Sequence, residues 1–450
     1  MVQTKIKPMK KISKTKIALL GLGLENQSLL KLLDKHKAPV DITICDYREI
    51  KDLVKIKINN LKLNYQSGFN FNKDLDKFKI LYRSPGWSLS CPGIKEAQKK
   101  NVKISSPMNF FFENCPSSKI IGVTGSKGKG TTATLIYRII KKNLDSKNSV
   151  NKVFLGGNIG IAPLSFIENI KQNDFIVLEL SSFQLEDLKY SPKCSVITNL
   201  FKEHLSPADP NNPNYHSSFY SYWQAKLNIA KHKENKYLVI NKKLEKKIKS
   251  EKITSNIILF EKSNLESKLS GEYNKENIAA AIEVAKILKI KKSVYTEVIK
   301  KFKNLEHRLE LVAKKNNVCF FDNSFSTTPE STIADLESFG NNIIQIAGGA
   351  DKGSSFKQLA KKIKEKSKYL ILFPGEGTKK IISELNLIKF PKEKMFLAKS
   401  MKEAVKKAIE MAKENDIILL STACASFGLF KNYKERGNLF KKYVKEEIEK

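Results

Sequence analysis

The chain has 450 residues, enough for about three domains at ~150 residues each, and its 41% hydrophobic content is ample for packed cores. No apolar run reaches the roughly 18 residues that a membrane helix needs, so no membrane span is expected. The net charge of +35 raises nucleic-acid binding, but the lysines are spread through every segment and only five of the 81 cationic residues are arginine, the residue on which base recognition leans. A general lysine bias accounts for the charge, and no nucleic-acid partner is expected. In such a chain an arginine is expected where a planar fork is needed, which singles out Arg48, Arg308 and Arg436. Six scattered cysteines without a CxxC pair fit a reducing cytoplasm. The basic stretch Met1–Lys16 lacks the apolar core of a secretory leader.

In chain order, Lys16–Leu20 reads as a strand, Gly21-Leu22-Gly23-Leu24-Glu25-Asn26 as a glycine turn, Ser28–Asp34 as a helix and Val40–Cys45 as a second strand closed by Asp46. This is a dinucleotide-type start with Asn26 in place of the third glycine, a weak signal alone. Tyr82-Arg83-Ser84-Pro85-Gly86 reads as a strand-end turn, where α/β folds place ligands. Glu113–Ser118 reads as a linker. The apolar run Ile120–Val123 then leads through Gly125-Ser126-Lys127-Gly128-Lys129-Gly130-Thr131 into a helix over Leu135–Ile140. Strand, glycine loop and helix N-terminus in that order bind phosphate through backbone N–H groups, with Lys129 reaching the terminal phosphates. The match to a strict P-loop is imperfect: Val123 stands at the first glycine, and Gly130 where a hydroxyl residue usually holds magnesium, leaving Thr131 as the substitute.

Gly156–Gly160 forms a second glycine turn. Phe175–Leu178 reads as a buried strand delivering Glu179 beside the phosphate loop, where a carboxylate suits a magnesium ligand. Val196–Leu200 is another strand, leading to His204, an irregular loop over 206–213, and a helix carrying Lys226. Asn274 and Asn277 lie three apart just before a helix over Ile278–Leu288. A third α/β unit begins near Leu305, with strands at Phe320–Asp322, Ile343–Gly349, Tyr369–Phe373 and Ile417–Leu420. The fold expected is α/β with three domains: an N-terminal Rossmann-like domain over 1–112, a central P-loop ATPase-like domain with a mostly parallel sheet over 113–303, and a C-terminal Rossmann-like α/β domain over 304–450.

These residues in this order resemble the Mur ligases, and within them the branch that adds glutamate to UDP-N-acetylmuramoyl-L-alanine in peptidoglycan precursor synthesis. The likeness covers nearly the whole chain. It rests on Gly21–Leu24, Ser84–Gly86, Gly122–Thr132, Gly156–Gly160, Leu178–Glu186, His204, Ala225–Leu227, Leu269–Asn277, Glu306–Arg308, Gly348–Gly353 and Ser421–Gly437. The resemblance implies a cytoplasmic, monomeric enzyme that uses ATP and two Mg2+ ions. The substrate carboxylate would attack the γ-phosphorus to give an acyl phosphate, which the glutamate amine then attacks. By the same resemblance, Leu24, Glu25, Asp46, Tyr47, Arg48, Ser84 and Gly86 would surround the uridine diphosphate sugar. Gly125 to Thr131, Asn274, Asn277 and Arg308 would bind ATP, and Asn158 would contact the reacting groups. Thr131 and Glu179 would serve one magnesium ion, and His204 with Lys226, the latter as an N-carbamate, the other. Thr327, Lys352, Ser426, Phe427 and Tyr433 would hold glutamate.

The chain departs from the family at Gly130, in a short stretch between Lys226 and Leu269, and at Phe325, where a lysine is expected. The Ser326-Thr327-Thr328-Pro329 pattern also occurs in a branch that couples L-glutamate, so the isomer stays open, with D-glutamate favoured by the rest of the third domain. Two rival readings share parts of this pattern. One is a folylpolyglutamate synthase-like ligase, against which the N-terminal glycine-turn domain argues. The other is a basic ATP-binding regulator of a nucleic acid, which predicts steeply salt-dependent binding.

Overall fold

The computed structural model describes residues 15–49, 57–205, 214–269, 271–351 and 354–449. The expected irregular loop 206–213 and Lys352 lie outside them. The chain forms two compact units, one of residues up to Ser263 with Glu276–Val298, the other of Asn264–Lys275 with residues from Ile299 on.

The first unit holds two sheets. Strands β1 (Thr15–Leu20), β2 (Val40–Asp46), β3 (Leu63–Ser67), β4 (Ile80–Arg83) and β5 (Lys103–Ser105) form a parallel sheet in the order β3-β2-β1-β4-β5. Residues Ile17–Leu20 of β1 are fully buried, as expected of a parallel strand covered on both faces. The order reverses at β1, which opens a crevice at the carboxyl ends of β1 and β4, where such sheets bind ligands. Strands β6 (Ile120–Thr124), β7 (Val153–Gly157), β8 (Phe175–Glu179), β9 (Cys194–Ile197), β10 (Tyr237–Asn241) and β11 (Asn256–Phe260) form a second parallel sheet, β11-β10-β9-β6-β8-β7. Here β6 sits between β9 and β8, so the loops leaving all three converge.

The second unit holds β12 (Glu310–Lys315), β13 (Val318–Asp322), β14 (Ile343–Gly348), β15 (Ser367–Phe373), β16 (Met395–Leu397) and β17 (Ile417–Leu420), in the order β12-β13-β17-β14-β15-β16. Only β12 runs antiparallel, paired to β13. Three mostly parallel α/β sheets are thus present, as the sequence pattern suggests. No helix among the described residues is long and apolar enough to cross a membrane.

Several boundaries shift in ways that bear on the site. The first helix runs Leu24–Lys35, four residues earlier than its apolar pattern suggests, because extended Gly23 caps it directly and puts Glu25 in its first turn. The helix after the phosphate loop begins at Lys129 itself and runs to Asp145. Strand β9 ends at Ile197, which leaves Thr198 and Asn199 in the following turn. Asn274 and Asn277 lie inside the helix Tyr273–Ile287 rather than before it.

Candidate active site

Gly125 and Gly128 turn the loop after β6 with φ of +141° and +80°. A Cβ on Gly125 would meet Thr198 Oγ1 at 2.0 Å, so glycine is required there by backbone and by space. The turn after β9 holds the loop from beside. The Lys127 amide donates to Asn199 Oδ1 (2.8 Å), Asn199 Nδ2 and Thr198 Oγ1 donate to Lys127 O (3.1 and 2.6 Å), and the Ser126 amide donates to Asn199 O (3.0 Å). Ser126 Oγ lies 2.9 Å from the Tyr222 hydroxyl. Lys129 Nζ donates to Gly125 O (2.9 Å) and Ser126 O (2.8 Å), so its charge sits over the loop. Gly130 and Thr131 are buried in the first helical turn. On the other side, Asn277 packs on Gly128 and accepts from Thr132 Oγ1 at 3.3 Å.

Lys226, on the helix Phe219–Leu227, is 1% exposed and donates to the same Gly125 carbonyl at 2.8 Å, with its ammonium 4.5 Å from the Tyr222 ring centre. Burial, together with the nearby charges of Lys129 and Lys127, holds its amine well below the ordinary lysine range, against the pull of Glu203 and Glu179. Glu203 pairs with Lys127. Burial alone would raise the Glu203 carboxyl, but Lys127 and Lys129 overcome it and bring it down to about 2. His204 is exposed, with a left-handed backbone (φ +57°) and its ring edge-on to Phe183 at 5.0 Å. Crowding by protein and the three lysines push its imidazole down to about 4, so the ring is neutral near pH 7 and able to ligate a metal. Glu179 closes β8 at 1% exposure. Its Oε1 accepts from Asn158 Nδ2 at 3.0 Å, and its Oε2 is buried with no hydrogen-bond partner among the described residues. An orphaned carboxylate oxygen beside a phosphate loop fits a hard cation.

The residues expected around the sugar nucleotide converge. Leu24, Glu25, Asp46, Tyr47, Arg48, Ser84 and Gly86 all line one cavity of about 370 Å³, and Asn158 and Gln184 of the second sheet's loops line it too. Asp46 is spent on shaping it: Oδ2 accepts from the Leu22 amide (2.7 Å) and from Arg48 Nη2 (2.7 Å), and Oδ1 from Arg48 Nε (2.9 Å). Asn26 fills the third-glycine position by donating to the carbonyls of Leu20, Gly21 and Tyr82. Arg83, fully buried, joins the two sheets through Asp187 (2.9 Å) and Phe183 O (2.7 Å).

In the second unit, the loops after β13, β14 and β17 meet. Ala350 and Ala425 exchange backbone hydrogen bonds of 3.1 Å, which seats Ser426 next to the Gly348-Gly349 turn. Ser426 is buried, Thr327 and Tyr433 are half-buried, and Phe427 is exposed. The Arg308 guanidinium lies 3.8 Å from the ring centre of Phe325, which meets Tyr433 edge-on at 5.1 Å. His307 Nδ1 contacts Asp322 Oδ2 at 2.6 Å. Buried Arg436 donates to Ser324 Oγ (3.0 Å), Ser324 O (2.8 Å) and Cys424 O (3.2 Å), tying the β13 and β17 loops together. Sequence reasoning missed Thr198, Asn199, Glu203, Tyr222, Arg83, Gln184 and His216. The Thr-Asn pair directly after a central strand was a usable signal. His216, stacked on Phe183 at 4.7 Å and pushed down to about 4 by burial, carried none.

A phosphate loop, a carboxylate–imidazole–lysine cluster and a cavity at a sheet switch point define a nucleotide-dependent enzyme of the α/β class. Two family models match the chain, the Mur ligase middle domain over residues 123–264 and the Mur ligase glutamate ligase domain over 307–424. The chain is 34% identical to a UDP-N-acetylmuramoylalanine–D-glutamate ligase of Clostridium botulinum, over 95% of this chain and 96% of the relative. It is 35% identical to one of Acetivibrio thermocellus, over 97% of both. Among solved structures, a UDP-N-acetylmuramate-alanine ligase of Thermotoga maritima shares the fold, with a TM-score of 0.57 at 17% identity over 97% of this chain and 99% of that one. The chain belongs to the Mur ligase family, the ATP-dependent ligases that form amide bonds.

Proposed function

We propose that the protein joins D-glutamate to UDP-N-acetylmuramoyl-L-alanine at the expense of ATP, in the cytoplasm and as a monomer, with three domains over 1–112, 113–303 and 304–450. The observation that carries the reading is the single cavity lined by Leu24, Glu25, the Asp46-Tyr47-Arg48 turn, Ser84, Gly86 and Asn158. It opens at the switch point of the first sheet, and its second wall comes from the loops beside the phosphate loop. Likeness to D-glutamate ligases over 95% of the chain supports the substrate.

The substrate carboxylate and ATP are both anionic, so positive charge must collect where they meet. Lys129 and Lys127 supply it beside the phosphate loop. Lys129 steadies the phosphoryl group as the carboxylate attacks the γ-phosphorus, and the glutamate amine then displaces phosphate from the acyl phosphate. The suppressed basicity of Lys226 supports carbamylation: a neutral amine adds to CO2, forming the N–C bond and releasing one proton. Glu179 with Thr131, and His204 with the carbamate of Lys226, would hold two magnesium ions that neutralise phosphate charge. Asn274, Asn277 and Arg308 complete the ATP contacts. Thr327, Lys352, Ser426, Phe427 and Tyr433 take glutamate.

The test is phosphate release with UDP-N-acetylmuramoyl-L-alanine and each glutamate isomer, with the product weighed by mass spectrometry. Turnover with D-glutamate is expected. The Ser326-Thr327-Thr328-Pro329 pattern, with Phe325 in place of lysine, favours the competing outcome, exclusive use of L-glutamate, and turnover with neither isomer refutes the reading.

A further inference from the structure

Glu25 is the one acidic side chain that the cavity keeps buried without a full set of partners among the described residues. It is 9% exposed in the first turn of the helix Leu24–Lys35. Its Oε1 accepts from the side-chain amide of Gln184, while Oε2 is buried with no hydrogen-bond partner among the described residues. The helix N-terminus and the glycine turn before it favour an anion there. An ionised carboxylate at the same place repels one.

We propose that Glu25 is a proton-linked binding residue of this cavity: it meets the diphosphate of the sugar nucleotide as a neutral carboxylic acid, so that binding takes up one proton. The proposal rests on the reading of the cavity as the sugar-nucleotide site. Protonation turns Oε2 from an acceptor into a donor, the only form in which it can hydrogen-bond a phosphate oxygen. The groups around it do not restore its charge. Arg83, on β4, is engaged with Asp187 at 2.9 Å and with the Phe183 carbonyl. Asp187 itself opposes ionisation, and Glu186 sits on the same segment, 3.9 Å from Arg83. Arg48 forks Asp46 across the cavity. Burial dominates this balance and raises the Glu25 carboxyl to about 7, although Gln184 and Arg83 pull it down. A bound diphosphate acts in the same direction as burial and raises it further.

The sign follows. Above about pH 7 the free protein carries Glu25 ionised and must gain a proton to bind, so affinity falls as pH rises; below it no proton is needed. The experiment is titration calorimetry with UDP-N-acetylmuramoyl-L-alanine, whose diphosphate and carboxylate keep constant charge from about pH 6 to about pH 8.5. Two buffers of different ionisation heat count the protons. With a free carboxyl near 7, Kd should rise about 30-fold over that range, with close to one proton taken up per complex at about pH 8. Glu25→Gln should bind with less than about threefold pH dependence and no proton uptake. A parent protein that binds without proton uptake, or a Glu25→Gln variant with an unchanged pH slope, overturns the proposal while leaving the cavity reading intact. Absence of binding by both at every pH refutes the cavity reading and the proposal with it. If the variant does not fold, the proton count on the parent protein decides alone.

Discussion

Replacing Lys226 by methionine separates a catalytic lysine from a structural one through the sign of the stability change. Among the described residues Lys226 Nζ makes one hydrogen bond, 2.8 Å to Gly125 O, and that carbonyl keeps a second donor in Lys129 at 2.9 Å. Losing the bond therefore costs about 0.5–1.5 kcal/mol, and the neutral amine has no cation–π attraction to Tyr222 to lose. Against this, no carboxylate pairs directly with Lys226 among the described residues, while burial, Lys129 and Lys127 all disfavour its charge. Replacing that buried polar amine by a packed apolar chain recovers a desolvation cost of about 1–3 kcal/mol. Lys226→Met should thus melt at or above the temperature of the parent and lose about 10²-fold or more in turnover, the scale of one electrostatic contact to a transferring group. If the proposed carbamate of Lys226 acts in catalysis, Lys226→Ala should regain part of its activity when formate or acetate is added, because a small carboxylate can occupy the place of the carbamate. Melting curves and phosphate release decide. A Lys226→Met protein with parental turnover refutes the catalytic role, and one that is inactive but strongly destabilised makes Lys226 a structural residue.

Lys129→Ala should fold and lose about 10²- to 10³-fold in phosphate release, since its ammonium lies over the loop carbonyls of Gly125 and Ser126; near-normal turnover refutes the loop assignment. Arg308→Lys should slow turnover by about tenfold, because a compact ammonium cannot lie flat on Phe325 as the guanidinium does at 3.8 Å; equal rates refute the fork argument. Glu25→Gln should also change stability with pH. The folded carboxyl titrates at about 7 against an ordinary 4.5, so the parent is relatively stabilised below 4.5 and loses that stability as pH rises through 7. At about 1.4 kcal/mol per unit the whole loss is about 3 kcal/mol, of which about 2.5 kcal/mol falls between about pH 5 and pH 8, where denaturation should show it in the parent but not in the variant.

The parts of this site readable in the sequence are those whose chemistry is local. The β6–glycine loop–helix unit declares itself within a dozen residues, since strand, turn and lysine are neighbours in the chain. Glu179 was legible for the same reason, as a carboxylate directly ending an apolar strand. What stayed hidden depends on distant partners. Arg83 and Asp187 are 104 positions apart, and neither has a distinctive local context. The helix start at Leu24 was misplaced because glycine caps it without a side-chain signal. The tight clasp of Thr198 and Asn199 on Lys127 was read simply as the end of a strand.

The arginines carry the argument one step further. In a chain with 81 cationic residues, any lysine that tolerates its place says little, and the five exceptions say more. Arg48 forks both oxygens of Asp46, Arg308 lies on an aromatic face, and Arg436 spreads three donors over Ser324 and Cys424 at full burial. Arg83, which the rarity argument should have included, divides its guanidinium among Trp87 O, Phe183 O and Asp187 at 1% exposure. Arg138 alone is exposed on a helix face. A lysine's single nitrogen can neither spread its donors as widely as Arg48, Arg83 and Arg436 do nor lie flat on a ring as Arg308 does. Arginine is thus kept where geometry, not charge, is needed: Arg48 lines the cavity of the first sheet, Arg83 joins that sheet to the second through Phe183 and Asp187, and Arg308 and Arg436 stand at the loops assigned to phosphate and glutamate.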